Sequence, residues 1–396
     1  MPARPRAALV ASWRPRIPGP AAARRALGRT RTARRCAAAA ALALALGLSA
    51  CSPIYILRAG MAEAKILSRR RPIADVVADP ATRPVTREKL RLVLAVRTFA
   101  ARIVGLRTGE SYTTYSWVDR DTLLLVLQAA PKLAFREYTW WFPIVGRVPY
   151  KGYFDFGKAR DDAHALEKQG YDVWLRPSSA FSTLGYFNDP LLNTILGYDD
   201  IDLANTVIHE LTHNTLYVPS QISFNESLAN FVGAHGAIDY FCSLEGEGSR
   251  HCDLARRRWH DDLVYGRFLS DLVERLKAVY ARSELPPATR LAMRDSVFQD
   301  ARARWNAQVE PTLVSDQYHG WGRRATLNNA ALIARRIYFD RLDVFEAAYA
   351  RTGGELRTFV RLVKDAVKGQ KDAYAAVARL GAPGPAAGLM LRSAVR

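Results

Sequence analysis

Thr206-Val207-Ile208-His209-Glu210-Leu211-Thr212-His213-Asn214-Thr215 is the stretch on which the reading of this chain turns. It holds H-E-x-x-H inside an apolar segment compatible with a helix, and the pattern predicts a helix over 200–217. Residues i and i+4 stand on one helix face, about 6 Å apart along the axis. Both imidazoles can then reach one Zn2+, with Glu210 beside them as a general base. The neighbouring side chains are uncharged, as a helix buried around a metal requires.

A tetrahedral catalytic site takes a third protein ligand and keeps one position open. The candidate is Glu226 in Phe224-Asn225-Glu226-Ser227-Leu228-Ala229-Asn230, at the start of a second helical pattern over 224–241. A turn containing Pro219 and Ser220 separates the two patterns, and an antiparallel helix after so short a connection returns Glu226 to the metal. The plainer alternative is a solvated carboxylate, since the first turn of a helix favours acids anyway.

Outward from this centre, the N-terminus is the most biased region. Of 396 residues, 57 are Lys or Arg and 38 Asp or Glu, a formal net charge of +19. With 49% hydrophobic and 24% charged residues the chain is too apolar for general disorder. Residues 1–50 carry ten Arg and no acid, and end in an unbroken small, apolar run from Ala37 to Ala50. A basic arm, an apolar run too short to span a bilayer, and small residues at its end form a secretory signal. The run closes on Leu48-Ser49-Ala50-Cys51, which resembles a bacterial lipobox, with cleavage before Cys51 and lipid on its thiol. Ser52 then favours the periplasmic side of the outer membrane over inner-membrane retention. The alternative is a disordered basic arm followed by an Ala-rich helix. Loss of residues 1–50 takes ten of the nineteen charges away and leaves +9, and with them goes most of the case for nucleic acid. Arg69-Arg70-Arg71 and Arg256-Arg257-Arg258 are short runs, read as solvated or lipid-facing.

Cys36 falls in the discarded segment and Cys51 is the lipidation site, which leaves Cys242 and Cys252. An oxidising compartment lets them bridge a short loop holding Gly246 and Gly248. Two free thiols are the alternative, and a metal clip with His251 lacks a fourth ligand.

The remaining pattern is helices, then strands, then a long helical part: an α+β unit, mainly helical, with a small sheet preceding the H-E-x-x-H helix. Helices are expected over 54–70, 86–106 and 157–169, and β structure from Tyr112 to Phe156 and from Tyr171 to Leu175. Downstream helices are expected over 253–283, 288–307, 326–338, 341–352 and 354–378. Residues 51–380 form one catalytic domain in this reading, and 381–396 a loose tail.

H-E-L-T-H followed by N-E-S-L-A resembles the gluzincin arrangement, in which a Glu from a following helix is the third zinc ligand. Together with the lipobox, Ser182-Thr183-Leu184-Gly185-Tyr186-Phe187-Asn188-Asp189-Pro190 and Asn328-Asn329-Ala330, the chain looks like the bacterial family of predicted zinc aminopeptidases. That resemblance covers nearly the whole chain after the signal. The spacing from His213 to Glu226 is shorter than in thermolysin-like or classical aminopeptidase members. The activity of the resembled family is itself inferred, so the resemblance implies a metallopeptidase more firmly than an aminopeptidase. It implies one Zn2+ on His209, His213 and Glu226, with Glu210 moving the proton from water to the leaving amine. An oxyanion donor is needed, and Tyr338, His319 and Tyr318 are the candidates, Tyr338 matching the family's tyrosine best. An aminopeptidase also recognises a free amine with a carboxylate, for which Asp189 is the candidate, although Asp before Pro190 equally suits a turn.

Metal-bound imidazoles call for outer hydrogen-bond partners; Asn225, Asn230, Asp200 and Asp202 are near enough in sequence, with helix capping the alternative for the Asp pair. His235 is read as structural, and His164 and His260 as solvated. Competing with the aminopeptidase are a zinc endopeptidase of the envelope and a non-catalytic binding lipoprotein with a vestigial zinc site.

Overall fold

The computed structural model describes residues 60–61, 64–120, 122–142, 146–178 and 190–382. Cys51, the lipobox, the C-terminal tail and the segment 179–189 with Asp189 lie outside the described residues. From Arg58 onward the chain clusters as one unit. The fold is a mainly helical α+β arrangement, and the small sheets all precede the helix that carries H-E-x-x-H.

Strand β1 (Arg71–Pro72) is followed by helices α1 (Ile73–Ala78) and α2 (Pro84–Phe99). Pro84 starts α2 two residues earlier than expected, because a helix's first position needs no N–H donor. The expected helix to 106 changes pitch at Ala100–Val104, a wider π turn, and stops at Gly105 in the left-handed conformation.

The strands are β2 (Thr114–Ser116), β3 (Leu124–Pro131), β4 (Trp140–Phe142), β5 (Gly146–Val148) and β6 (Lys151–Tyr153). After α3 (Phe156–Lys168) come β7 (Tyr171–Ser178) and β8 (Leu191–Leu192). β3 is central in an antiparallel sheet of order β6-β3-β7, with Val126 opposite Arg176 and Gln128 opposite Trp174. Among the described residues β7 is therefore an edge. β1, β2 and β8 form a second small sheet and β4–β5 a hairpin. Asp155 caps α3 through its side chain, as an acid before a helix should.

The helical part is α4 (Asp200–Thr215), α5 (Ile222–Glu245), α6 (Arg250–Tyr280), α7 (Pro287–Arg304), α8 (Trp321–Arg324), α9 (Asn329–Arg336), α10 (Leu342–Ala350), α11 (Leu356–Val367) and α12 (Ala373–Gly381). α4 packs Ile201, Leu203, Ala204, Val207, Ile208 and Leu211 into the main core, each fully buried aliphatic side chain contributing about 1.5–3 kcal/mol. α5 is buried almost all round and packs closely on α4. The close approach depends on Gly233: a Cβ there would stand 2.9 Å from the Asn205 carbonyl oxygen. At Gly236 it would stand 2.8 Å from Ile208 Cδ1.

One expected helix is shortened and another is divided. The 326–338 helix begins only at Asn329, with Asn328 accepting from the Ala331 N–H as its cap; α8 is a separate short piece. The 354–378 helix breaks between Val367 and Ala373, where Gly369 turns left-handed and Asp372 caps α12. Among the described residues no helix is long and apolar enough to cross a membrane.

Candidate metal centre

α4 is started by Asp199, whose Oδ1 accepts from the Asp202 N–H at 2.9 Å. Three turns later it presents His209 and His213 on one face, their Nε2 atoms 3.2 Å apart. The connection 216–221 is closed by Asn225, a buried side chain that accepts from the Val218 N–H and donates to its carbonyl, both at 2.8 Å. That clip sets the first turn of α5 against α4, and the next residue is Glu226. Its Oε2 lies 3.4 Å from His209 Nε2 and its Oε1 3.6 Å from His213 Nε2.

These separations permit a test of what the residues can hold. A tetrahedral ion with donors at 2.0–2.1 Å has ligand–ligand edges of about 3.3 Å. The two nitrogens lie 3.2 Å apart and each has a different Glu226 oxygen at 3.4 or 3.6 Å, separations near that edge, and the set of two imidazoles and one carboxylate suits a borderline metal such as zinc. Burial would raise the Glu226 carboxyl, but hydrogen bonds and charge from the two imidazoles outweigh it and hold the group well below the usual carboxylate range. Burial lowers His213, and the Glu226 and Glu210 carboxylates more than offset this, raising it.

Glu210 is half-buried and close enough for its charge to act on both His213 and Tyr338. Tyr338 follows α9, with its ring centroid 6.1 Å from that of His209. α5 itself holds this turn: Asn230 Nδ2 donates to the Tyr338 carbonyl at 3.0 Å, Ser227 Oγ to the Ile337 carbonyl at 2.7 Å, and Ser223 Oγ to Asp340 at 3.0 Å. One helix thus delivers Glu226 and fixes Tyr338. Burial, then the charges of Glu226 and Glu210, push the Tyr338 hydroxyl far up, so it is a firm hydrogen-bond donor.

The other oxyanion candidates are engaged elsewhere. Tyr318 donates to Asp262 at 2.6 Å and stacks on Tyr265, and His319 is an exposed loop residue. The expected outer partners of the imidazoles are not found where they were sought. Asn225 serves the connection and Asn230 the Tyr338 turn; Asp200 pairs with Lys89 at 2.7 Å and Asp202 with Arg258 at 3.0 Å. His213 Nδ1 is buried without a hydrogen-bond partner among the described residues. His235 is indeed structural, packed on Phe231 and bonded to Glu346 at 3.1 Å, while His164 and His260 face solvent. A disulfide joins Cys242 and Cys252, so their sulfurs form no metal clip.

Three neighbours of the site escaped the reading of the sequence. Tyr217 stands four residues after His213, ring centroids 6.4 Å apart, a spacing that could have revealed it. Tyr150 and Arg176 approach through the sheet, and nothing local announces them. Burial first, then Glu226, raises both Tyr150 and Tyr217.

The family model described as “Putative aminopeptidase” matches residues 54–376. The chain belongs to that family. The match takes in every residue of the His–His–Glu cluster and the Tyr338 turn, and the membership supports a peptidase-like function. No curated protein and no solved structure matches the chain.

Proposed function

We propose that the protein is a zinc peptidase that removes N-terminal residues from peptides. The observation that carries this reading is the convergence of His209, His213 and Glu226, whose nitrogens and carboxylate oxygens approach to 3.2–3.6 Å, with Glu210 on the adjoining helix position. Zn2+ held there would acidify a water and polarise a scissile carbonyl. Glu210 would accept a proton from the attacking water and return it to the leaving amine. The Tyr338 hydroxyl, held neutral by burial, donates to the developing oxyanion. Asp189 is the proposed partner for the substrate's free amine.

The same proposal places the catalytic unit on a lipid anchor at Cys51, on the periplasmic side of the outer membrane. It is supported by the order of basic arm, apolar run and Leu48-Ser49-Ala50-Cys51. Nucleic acid has no part in it.

The test is metal analysis of the purified full chain together with hydrolysis of amino-acid anilides. One zinc per chain is expected, and Glu210→Gln should keep the zinc while losing at least about a hundredfold in rate. Absence of stoichiometric metal, or an unimpaired Gln variant, overturns the mechanism. Activity confined to N-blocked peptides would replace the aminopeptidase with an endopeptidase using the same chemistry.

A further inference from the structure

Asp172, Trp174 and Arg176 alternate onto one face of β7. That face meets α9. Asp172 accepts from the Asn329 N–H at 2.8 Å and pairs with buried Arg294, and Asn328 Nδ2 donates to the Val173 carbonyl at 2.8 Å. Further along, Arg335 near the end of α9 lies over the Trp174 ring, 4.8 Å from its centroid, and Arg176 lies 5.4 Å from the same ring. Strand and helix therefore run side by side toward Tyr338, the residue that approaches His209. The charge of Arg176 reaches the hydroxyls of both Tyr338 and Tyr150.

What sets Arg176 apart from the other half-buried arginines is that neither an acid nor a hydrogen bond answers it among the described residues. Arg258 is answered by Asp199 and Asp202, Arg294 by Asp172, and Arg336 by Asp340. Arg335 donates to the Thr326 carbonyl at 2.7 Å and forms no ion pair among the described residues. Arg176 is half-buried with neither a hydrogen bond nor an ion pair among them. Across the strand from Trp174, Gln128 is 8% exposed and its Oε1 has no partner. A guanidinium partly withdrawn from water and left unanswered is costly, and its planar fork matches a carboxylate in two parallel hydrogen bonds.

We infer that Arg176, backed by Arg335 across Trp174, anchors a carboxylate of the peptide substrate. The carboxylate is either the C-terminus of a short peptide or an acidic side chain. A C-terminal anchor would restrict the enzyme to short peptides, and a side-chain anchor would select for Asp or Glu. The placement of this anchor beside a scissile bond rests on the peptidase reading; the carboxylate site itself does not.

Calorimetric binding to the full chain, stripped of metal by a chelator, tests it, because neither hydrolysis nor carboxylate–metal contact then contributes. The probes are Ala-Ala-Ala against its C-terminal amide, and Ala-Glu-Ala-amide against Ala-Gln-Ala-amide. One charged member should bind about tenfold more tightly than its neutral twin, and which pair shows the difference names the source of the carboxylate. Arg176→Met should abolish that difference, and Arg176→Lys should restore part of it. Equal binding within both pairs overturns the inference on the unaltered protein, whatever the variants do, and a difference that survives Arg176→Met in a folded variant overturns it as well. If the difference is found but the metal-loaded protein cleaves no peptide, the anchor stands and the peptidase reading fails.

Discussion

Glu226 on α5 and Asp262 on α6 are both carboxylates withdrawn from water, and burial alone pushes both upward. Glu226 faces two imidazoles within 3.6 Å, which reverse the effect and keep it ionised. Asp262 accepts only neutral hydrogen bonds, from Gln317 and Tyr318 at 2.6 Å each, and nearby Asp202 and Asp261 add repulsion. Its carboxyl is pushed up to about 7. Depth of burial does not decide what a buried acid can do; the charge of its neighbours does. One carboxylate stays charged beside the two imidazoles, and the other fastens the 313–320 loop to α6.

The same neutral, near-isosteric change should therefore have opposite outcomes at the two positions. Glu226→Gln removes a charged donor from the trio, and zinc affinity should fall by more than the roughly 10–100-fold typical of losing an outer partner, as measured by competition with a chelating dye. Unchanged affinity would remove Glu226 from the ligand set. A smaller effect is expected from Gly233→Ala, whose Cβ would press on the Asn205 carbonyl and wedge α5 away from α4. It should cost about 1–3 kcal/mol in denaturant unfolding and weaken zinc binding with it, because Glu226 and the histidines ride on different helices. A variant as stable as the parent would mean that the two helices are not held at this spacing.

Asp262→Asn should move stability in the opposite, favourable direction. The folded pKa of about 7 lies above the value near 4 of an exposed aspartate, so the unfolded chain ionises first as pH rises. The stability tied to this group is full below about pH 4 and is lost as pH climbs through about 7. The Asn variant escapes that loss: its melting temperature should exceed the parent's at pH 8 and converge with it near pH 4. A difference that does not vary with pH would show that Asp262 is ionised in the folded chain.

The contrast also bears on how much could be read from residues in order. His209, Glu210 and His213 are legible because helical geometry alone brings i and i+4 together, and Glu226 because a short connection leaves α5 few places to begin. The mainly helical α+β class follows from the same local periodicities. The late start of the 326–338 segment and the break within 354–378 had local signals in Asn328, Gly369 and Asp372, weaker than the apolar pattern running across them. The partners of Asp200 and Asp202 are another matter. Lys89 and Arg258 lie 111 and 56 positions away, and no helical period relates them. Arg176 and Tyr150 belong to the same class, since they come near the centre only after β3 and β7 pair and α9 packs beside them.

The disulfide between Cys242 and Cys252 ties the last turn of α5 to the first turn of α6. Glu226 sits at the other end of α5, about 24 Å away at the rise of an α-helix. Closing so short a loop stabilises the fold by about 3 kcal/mol in the chain-entropy picture. Endurance and turnover are thereby placed at opposite ends of one rod. A thiol reagent should lower the stability of the fold without touching the donors of His209, His213 and Glu226.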